Sequence, residues 1–233
     1  MTDKTVIIIP ARYASTRFEG KPLAMLTGST GARKSLIQRS WETACDVPSV
    51  DGIFVATDDQ RIADAVHNFG GQVIMTSQNC RNGTERVAEA VQTLPEPADI
   101  VVNLQGDAPL TPPWFITALI DEMKGDSTVE MATPVLRCDG LTLNMFREDR
   151  RNGRVGGTTA VVEQNWDALY FSKEVLPFTD KTYADDEQTP GYHHVGAYAY
   201  RPTSLARYIR WPERSLERLE GLEQLRLLEH GVK

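Results

Sequence analysis

Thr5-Val6-Ile7-Ile8-Ile9-Pro10, an unbroken β-branched run closed by a proline, decides the fold of this chain. A strand with one wet face alternates apolar and polar residues, whereas a continuous run belongs to a strand covered on both faces, as in a parallel sheet. Further runs of the same kind follow at Gly52–Thr57, at Gln72–Met75 after Gly70-Gly71, and at Asp99–Leu104. Between them the period changes to that of helices: Ser35 starts one through Cys45, Asp58 or Asp59 caps one through Phe69, Thr84–Thr93 is a third, and Pro112-Pro113 start a fourth through Lys124. Strands alternating with helices predict an α/β fold with a doubly wound, mostly parallel sheet.

Residues 11–33, rich in Gly, Ser and Thr, read as one long loop, and Glu130–Leu136 reads as a strand. From Arg137 to Gly157 the pattern breaks into polar and glycine-rich sequence. Strand-like pieces return at Thr158–Val162, Leu169–Phe171 and Val195–Tyr200, followed by helices near Thr203–Ile209 and Leu216–Glu229. These pieces are too short to form a core of their own. The expectation is therefore one domain over residues 1–233, with a lid or dimerisation insert at about residues 155–200.

The chain has 233 residues, 24% of them charged, and a net charge of −7. That balance argues against a nucleic-acid or anionic-membrane partner, so any polyanion must meet a local basic cluster. Between Pro10 and Lys34 there is one: Arg12, Arg17, Lys21, Arg33 and Lys34 stand against Glu19 alone. Cys45, Cys80 and Cys138 are odd in number and form no CxxC pair, which suggests neither a disulfide framework nor a zinc site. With no secretory leader pattern and no apolar run of membrane length, the expected location is the cytoplasm.

Ligands of open α/β sheets bind beyond the carboxyl ends of the strands, so the residues that follow strands rank first as site candidates. Pro10–Pro22 follows the first strand and carries Arg12, Arg17 and Lys21, a set suited to a triphosphate because guanidinium forks and an ammonium meet phosphate oxygens. A solvated basic loop has the same composition. Gln105-Gly106-Asp107 ends another strand, where an aspartate can hold Mg²⁺ shared with substrate phosphates, or can simply cap a turn. Asn82-Gly83-Thr84-Glu85-Arg86 opens a helix, a position for a base or phosphate and equally for an ordinary cap. No Walker motif and no GxGxxG is present.

Taken in order, PAR-x-x-STR-x-x-GKPL from Pro10, GTER-x-AE (Gly83–Glu89), QGD-x-P (Gln105–Pro109), ALYFS (Ala168–Ser172), HxGxYxY (His194–Tyr200) and LEQLRLLEHG (Leu222–Gly231) resemble the 3-deoxy-manno-octulosonate (Kdo) cytidylyltransferases over nearly the whole chain. The resemblance implies a nucleotide-diphospho-sugar transferase-like fold, with a small inserted dimerisation and sugar-binding element. It also implies transfer of CMP from CTP to a 3-deoxy-2-ulosonic acid, with release of pyrophosphate, for lipopolysaccharide precursor synthesis by a homodimer. Arg12, Arg17 and Lys21 would neutralise the triphosphate and the leaving group, and Asp107 would hold Mg²⁺. Pro10, Ala11, Arg12, Met75, Thr76, Gln105 and Gly106 would line the nucleotide pocket, with Arg86 close by. His194, Tyr198, Glu223 and Gln224 would hold the sugar, and Lys173 or Arg201 would meet its carboxylate.

The chain departs from that pattern in several places. Ala108 stands where the family has Glu after QGD, and Asn82 where it has Ser before GTER. Arg154–Val162 lacks the lysine of the family's Asn-x-Val-Lys-Val-Val-like strand, and Ser29–Lys34 enlarge the loop after GKPL. The family also continues past LEQLRLLEHG to a Gly-x-Asp-Thr-Pro motif whose Asp is a second metal ligand, and residues 1–233 contain no such motif. Two alternatives therefore stand beside Kdo: another acidic acceptor (amino-Kdo, a sialic-type acid or a phosphonate), or a CTP-binding module without catalysis.

Overall fold

The computed structural model describes residues 3–14 and 18–233. The chain divides into two compact units, Met1–Ala132 with Ala197–Arg210, and Thr133–Gly196 with Trp211–Lys233. In chain order the elements begin with β1 (Thr5–Ala11), a short 3-10 turn (Lys21–Leu23), β2 (Met25–Thr27), β3 (Arg33–Ser35) and α1 (Leu36–Cys45). Then come β4 (Gly52–Thr57), α2 (Gln60–Asn68), β5 (Gln72–Met75), α3 (Gly83–Val91), β6 (Ile100–Leu104), α4 (Pro113–Gly125) and β7 (Met131–Ala132). β8 (Val135–Asp139), α5 (Gly140–Arg151), β9 (Thr159–Val162), β10 (Ala168–Ser172) and β11 (Gln188–His194) follow, and the chain ends with β12 (Ala197–Tyr200), α6 (Pro202–Tyr208), α7 (Ser215–Glu220) and α8 (Leu225–Glu229).

The first unit holds a six-stranded sheet in the order β5-β4-β1-β6-β12-β7. β5, β4, β1 and β6 run parallel, and β12 joins antiparallel to both β6 and β7. Every residue of β1 is buried, as the unbroken apolar run requires. Ile7, Ile8 and Ile9 are fully buried, each contributing about 1.5–3 kcal/mol of transfer free energy. Ile7 and Ile9 join Val55, Val102, Leu104, Ile116 and Ile120 in the main core.

Helix starts follow the side-chain caps: Ser35 accepts from the Gln38 N–H, Asp59 from that of Arg61, and Asn82 from that of Glu85. Asn82 thus performs at α3 the cap that the family's serine would supply. Part of the expected long loop is instead a hairpin, β2 with β3, whose turn is closed by Gly28 N–H to the Ala32 carbonyl at 3.0 Å. The enlarged Ser29–Lys34 segment therefore forms the turn and second strand of a hairpin.

The second unit is a four-stranded antiparallel sheet, β10-β9-β11-β8, with its own buried clusters. Three expectations need correction. The polar stretch after Arg137 contains α5, started by Asp139 capping the Thr142 N–H at 2.8 Å; only Gly140, Leu143 and Phe146 of it are buried, too few for a clear apolar period. Glu130–Leu136 is not one strand, because the chain leaves β7 at Ala132 and enters β8 of the other sheet at Val135. The last helix is broken at Gly221, whose φ of +61° ends α7 in the left-handed conformation.

Candidate active site

The carboxyl ends of β1, β4, β5 and β6 meet at one edge of the parallel sheet, with Ala11 in register with Thr57 and Thr57 with Met75. Glycine allows the closest approach there. A Cβ on Gly106 would lie 2.8 Å from the Pro10 carbonyl oxygen, so the turn after β6 can lie against the end of β1 only without a side chain. At Gly83, the first residue of α3, a Cβ would lie 3.4 Å from Pro10 Cγ and 3.5 Å from Gln105 Oε1. Pro10, Gly83, Gln105 and Gly106 are thereby brought together from three elements. Helix α1 fixes the turn through Ser40 Oγ donating to the Gly106 carbonyl and Thr43 Oγ1 to that of Pro109, each at 3.0 Å.

Lys21 and Asp107 face one another across this edge, Nζ to Oδ2 at 2.5 Å, and both side chains are about half exposed. Arg12, the residue directly after β1, is exposed. Arg17 lies outside the described residues. Met75 is exposed at the end of β5, and the Thr76 N–H continues the ladder to the Thr57 carbonyl at 2.8 Å. Thr76 Oγ1 accepts from Arg86 Nη1 at 2.5 Å, and Arg86 Nη2 pairs with Asp58 at 3.2 Å. Arg86 is thus buried, held by the residues that follow β4 and β5. Gln105 Nε2 donates to Oδ1 of the fully buried Asn103 at 3.1 Å.

Asp58 and Asn103 were not singled out in the sequence. Asp58 directly follows a strand, a signal that pointed only to a helix cap, and Asn103 is the lone polar residue inside β6. A divalent cation fits Asp107 on donor chemistry, since Mg²⁺ takes one or two carboxylates and completes its shell with phosphates and water. Among the described residues no group of three or more His, Cys, Asp or Glu side chains could by itself hold a metal.

The residues expected to hold the sugar fall in both units. In the first, Tyr198 lies on β12 opposite Asn103 and stacks on Tyr200 with ring centroids 6.0 Å apart. Arg201, in the same unit, is directed at main-chain carbonyls of Met123, Val129 and Asp126. In the second, His194 ends β11, with Nε2 at 2.9 Å from Thr133 Oγ1 and its ring edge-on to Phe171. Burial, followed by the neighbouring His193, pushes the His194 imidazole down to about 4, so it is neutral at pH 7. Glu223 and the buried Gln224 precede α8. Lys173 follows β10, where its N–H donates to Glu220 at 2.9 Å.

A parallel-sheet edge that gathers a basic loop, a glycine-tight turn and a carboxylate, on this strand order, defines a nucleotidyltransferase-type α/β protein. Residues 6–233 match the family model described as cytidylyltransferase. The chain is 48% identical to a 3-deoxy-manno-octulosonate cytidylyltransferase of Maricaulis maris, over 97% of this chain and 84% of that protein. It is 42% identical to the protein of the same name from Chlamydia trachomatis serovar L2, over 99% of this chain and 84% of the other. A solved CMP:2-keto-3-deoxy-manno-octonic acid synthetase in complex with CTP superposes with a TM-score of 0.83 at 37% identity, covering 98% of this chain and 87% of that one. The chain belongs to the cytidylyltransferase family, among the 3-deoxy-manno-octulosonate cytidylyltransferases.

Proposed function

We propose that the chain transfers CMP from CTP to Kdo, and that the edge carrying Lys21 and Asp107 is where the triphosphate reacts. The anomeric hydroxyl oxygen of the sugar attacks the α-phosphorus, the bond from that phosphorus to the β-phosphate oxygen breaks, pyrophosphate leaves, and the hydroxyl proton is released. The observation that carries the assignment is the placement of a cation and a carboxylate 2.5 Å apart beyond the end of the central strands, where ligands of such sheets bind.

Arg12, Arg17 and Lys21 neutralise the phosphates and the charge that develops on pyrophosphate. Pro10, Ala11, Met75, Thr76, Gln105 and Gly106 shape the nucleotide pocket, with Arg86 close to its floor. His194, Tyr198, Glu223 and Gln224 bind the sugar; the neutral His194 does so as a hydrogen-bonding group. Asp107 holds Mg²⁺, which when bound supplies charge stabilisation to the phosphate oxygens.

The reaction supplies an activated sugar acid for lipopolysaccharide synthesis in the cytoplasm. No helix among the described residues is long and apolar enough to cross a membrane, and the three cysteines are free, which suits a reducing compartment. A homodimer is part of the proposal, with Trp166, Leu169 and Phe178, large apolar residues that the second unit exposes, as candidate interface residues. A panel of acceptors with CTP, read by pyrophosphate release, tests the assignment: turnover of Kdo is expected. Turnover confined to amino-Kdo, a sialic-type acid or a phosphonate would replace the acceptor, and CTP binding without any turnover would replace the function.

A further inference from the structure

Helix α2 contributes to the basic loop a cation that none of the site motifs contains. The guanidinium carbon of Arg61 lies 3.3 Å from the centroid of the Tyr13 ring. Its Nε and Nη2 both donate to Asp59, at 2.9 Å to Oδ1 and 2.7 Å to Oδ2, so the fork is fixed while its face covers the ring. Asp59 is itself fixed as the cap of α2. From the other end of the loop, the Gly20 N–H donates to the Tyr13 carbonyl at 2.9 Å, and a Cβ on Gly20 would lie 3.0 Å from the Tyr13 ring. Tyr13 also packs against the main core. Residues 13 and 20 therefore close the stem of the loop. The cation Arg12 precedes one side of this stem, and Lys21 follows the other.

We propose that Arg61 is a positioning residue for the triphosphate: stacked on Tyr13 and locked by Asp59, it holds the loop stem and thereby sets the spacing of Arg12 and Lys21. The inference rests on the assignment of this loop to the triphosphate. Its physical basis is preorganisation. A stem that is loose before CTP arrives must be ordered by CTP, and that cost appears as weaker nucleotide binding rather than slower chemistry. The Arg61 side chain is 58% exposed, so the stack belongs at the weaker end of guanidinium–aromatic contacts and the effect is moderate.

The test is steady-state pyrophosphate release by the full chain, with CTP and Kdo varied separately, for Arg61→Ala, Arg61→Lys, Tyr13→Phe and Lys21→Ala. Arg61→Ala is expected to raise the KM for CTP about three- to fivefold, a loss in the range of one moderately exposed cation–ring contact. Its kcat, its KM for Kdo and its melting temperature should stay near wild type. Arg61→Lys should fall between the two, because an ammonium keeps the ring contact and loses the fork, while Tyr13→Phe should match wild type. A wild-type KM for CTP in Arg61→Ala, or an equal rise for both substrates accompanied by a lower melting temperature, would overturn the proposal. Lys21→Ala separates the two levels of the argument. If it changes CTP kinetics and Arg61→Ala does not, only the role of Arg61 fails; if Lys21→Ala leaves them unchanged, the loop is not the triphosphate site.

Discussion

Gly106→Ala probes how tightly the site depends on backbone approach. The added Cβ would sit 2.8 Å from the Pro10 carbonyl oxygen, 3.3 Å from Ile37 Cδ1 and 3.6 Å from Ile9 Cγ2. Pro10 is in β1, in register with Ala56 of β4, so its carbonyl cannot swing aside as a flexible side chain would. Ordinary contact begins at 3.4 Å, so the β6 turn and β1 must part by about 0.6 Å. Overpacking of this kind costs about 1–3 kcal/mol, which in a chain of this size lowers Tm by roughly 2–4 °C per kcal/mol. The same movement carries Gln105 and Asp107 away from Pro10. Because a displacement of about 1 Å in a reacting group can cost on the order of a hundredfold, roughly a tenfold fall in kcat/KM for CTP is expected. Differential scanning fluorimetry and pyrophosphate release with CTP and Kdo measure the two effects. Gly125→Ala, at the end of α4 with open space around it, is the control and should be silent in both. Wild-type melting and wild-type kinetics in Gly106→Ala would refute the close-approach argument.

Asp107→Ala is expected to abolish Mg²⁺-dependent turnover with little change in Tm, since the side chain is half exposed; activity within twofold of wild type would remove the metal assignment. Asp58→Ala leaves the buried guanidinium of Arg86 without its carboxylate, so a loss of about 3 kcal/mol is expected in chemical denaturation, against a change under 1 kcal/mol if the pair is dispensable. Burial holds His194 neutral, with its pKa down at about 4 against an unfolded value of 6.5. The unfolded chain therefore binds the extra proton first, and this contribution is complete above pH 6.5, falls as pH drops through that window, and is fully lost below pH 4. Its size is about 3 kcal/mol. His193, lowered by burial as well, adds in the same direction. Denaturant midpoints between pH 7 and 4 should drop more steeply in the wild type than in His194→Gln, and parallel curves would contradict the assignment.

The central parallel strands were legible because burial on both faces leaves little room for polar residues: β1 and β6 are buried at every position and β4 over its last four, whereas β5, at the edge of the sheet, buries only Ile74 and was legible from its position after Gly70-Gly71. Helix caps at Ser35 and Asp59 were legible for a local reason, a side chain bonding its own next turn. Elements held by few apolar contacts were not. α5 buries only Leu143 and Phe146 besides its first glycine, and β11 contains Pro190-Gly191, tolerated because the pairing with β8 shifts register between Gln188 and Tyr192. Within the site, the loop, the QGD turn and the start of α3 stood out as motifs next to strand ends. Asp58 with Arg86, Asn103 with Gln105, and Arg61 with Tyr13 did not, because each is a contact made in three dimensions that neither partner's local pattern contains. Asn103 in particular breaks an apolar strand, a disagreement between local pattern and environment that marks a site in an otherwise consistent fold.

The two ion pairs at the sheet edge are built for different tasks, and burial decides which is which. Lys21 and Asp107 are about half exposed, and a pair in such a setting contributes under about 1 kcal/mol. On the proposed assignment, Lys21 would meet the phosphates and Asp107 would hold the divalent cation. Neither charge is then left uncompensated, so the exchange costs little. Arg86 and Asp58 are 3% and 15% exposed, and separating them would leave charges in a medium that solvates them poorly. That pair is suited to staying intact and holding the ends of β4 and β5 in place while the outer pair exchanges partners. On that assignment, an acidic chain binds its polyanion with a cation, Lys21, held in reserve by one weak, exposed pairing, while the buried Arg86–Asp58 pairing stays intact.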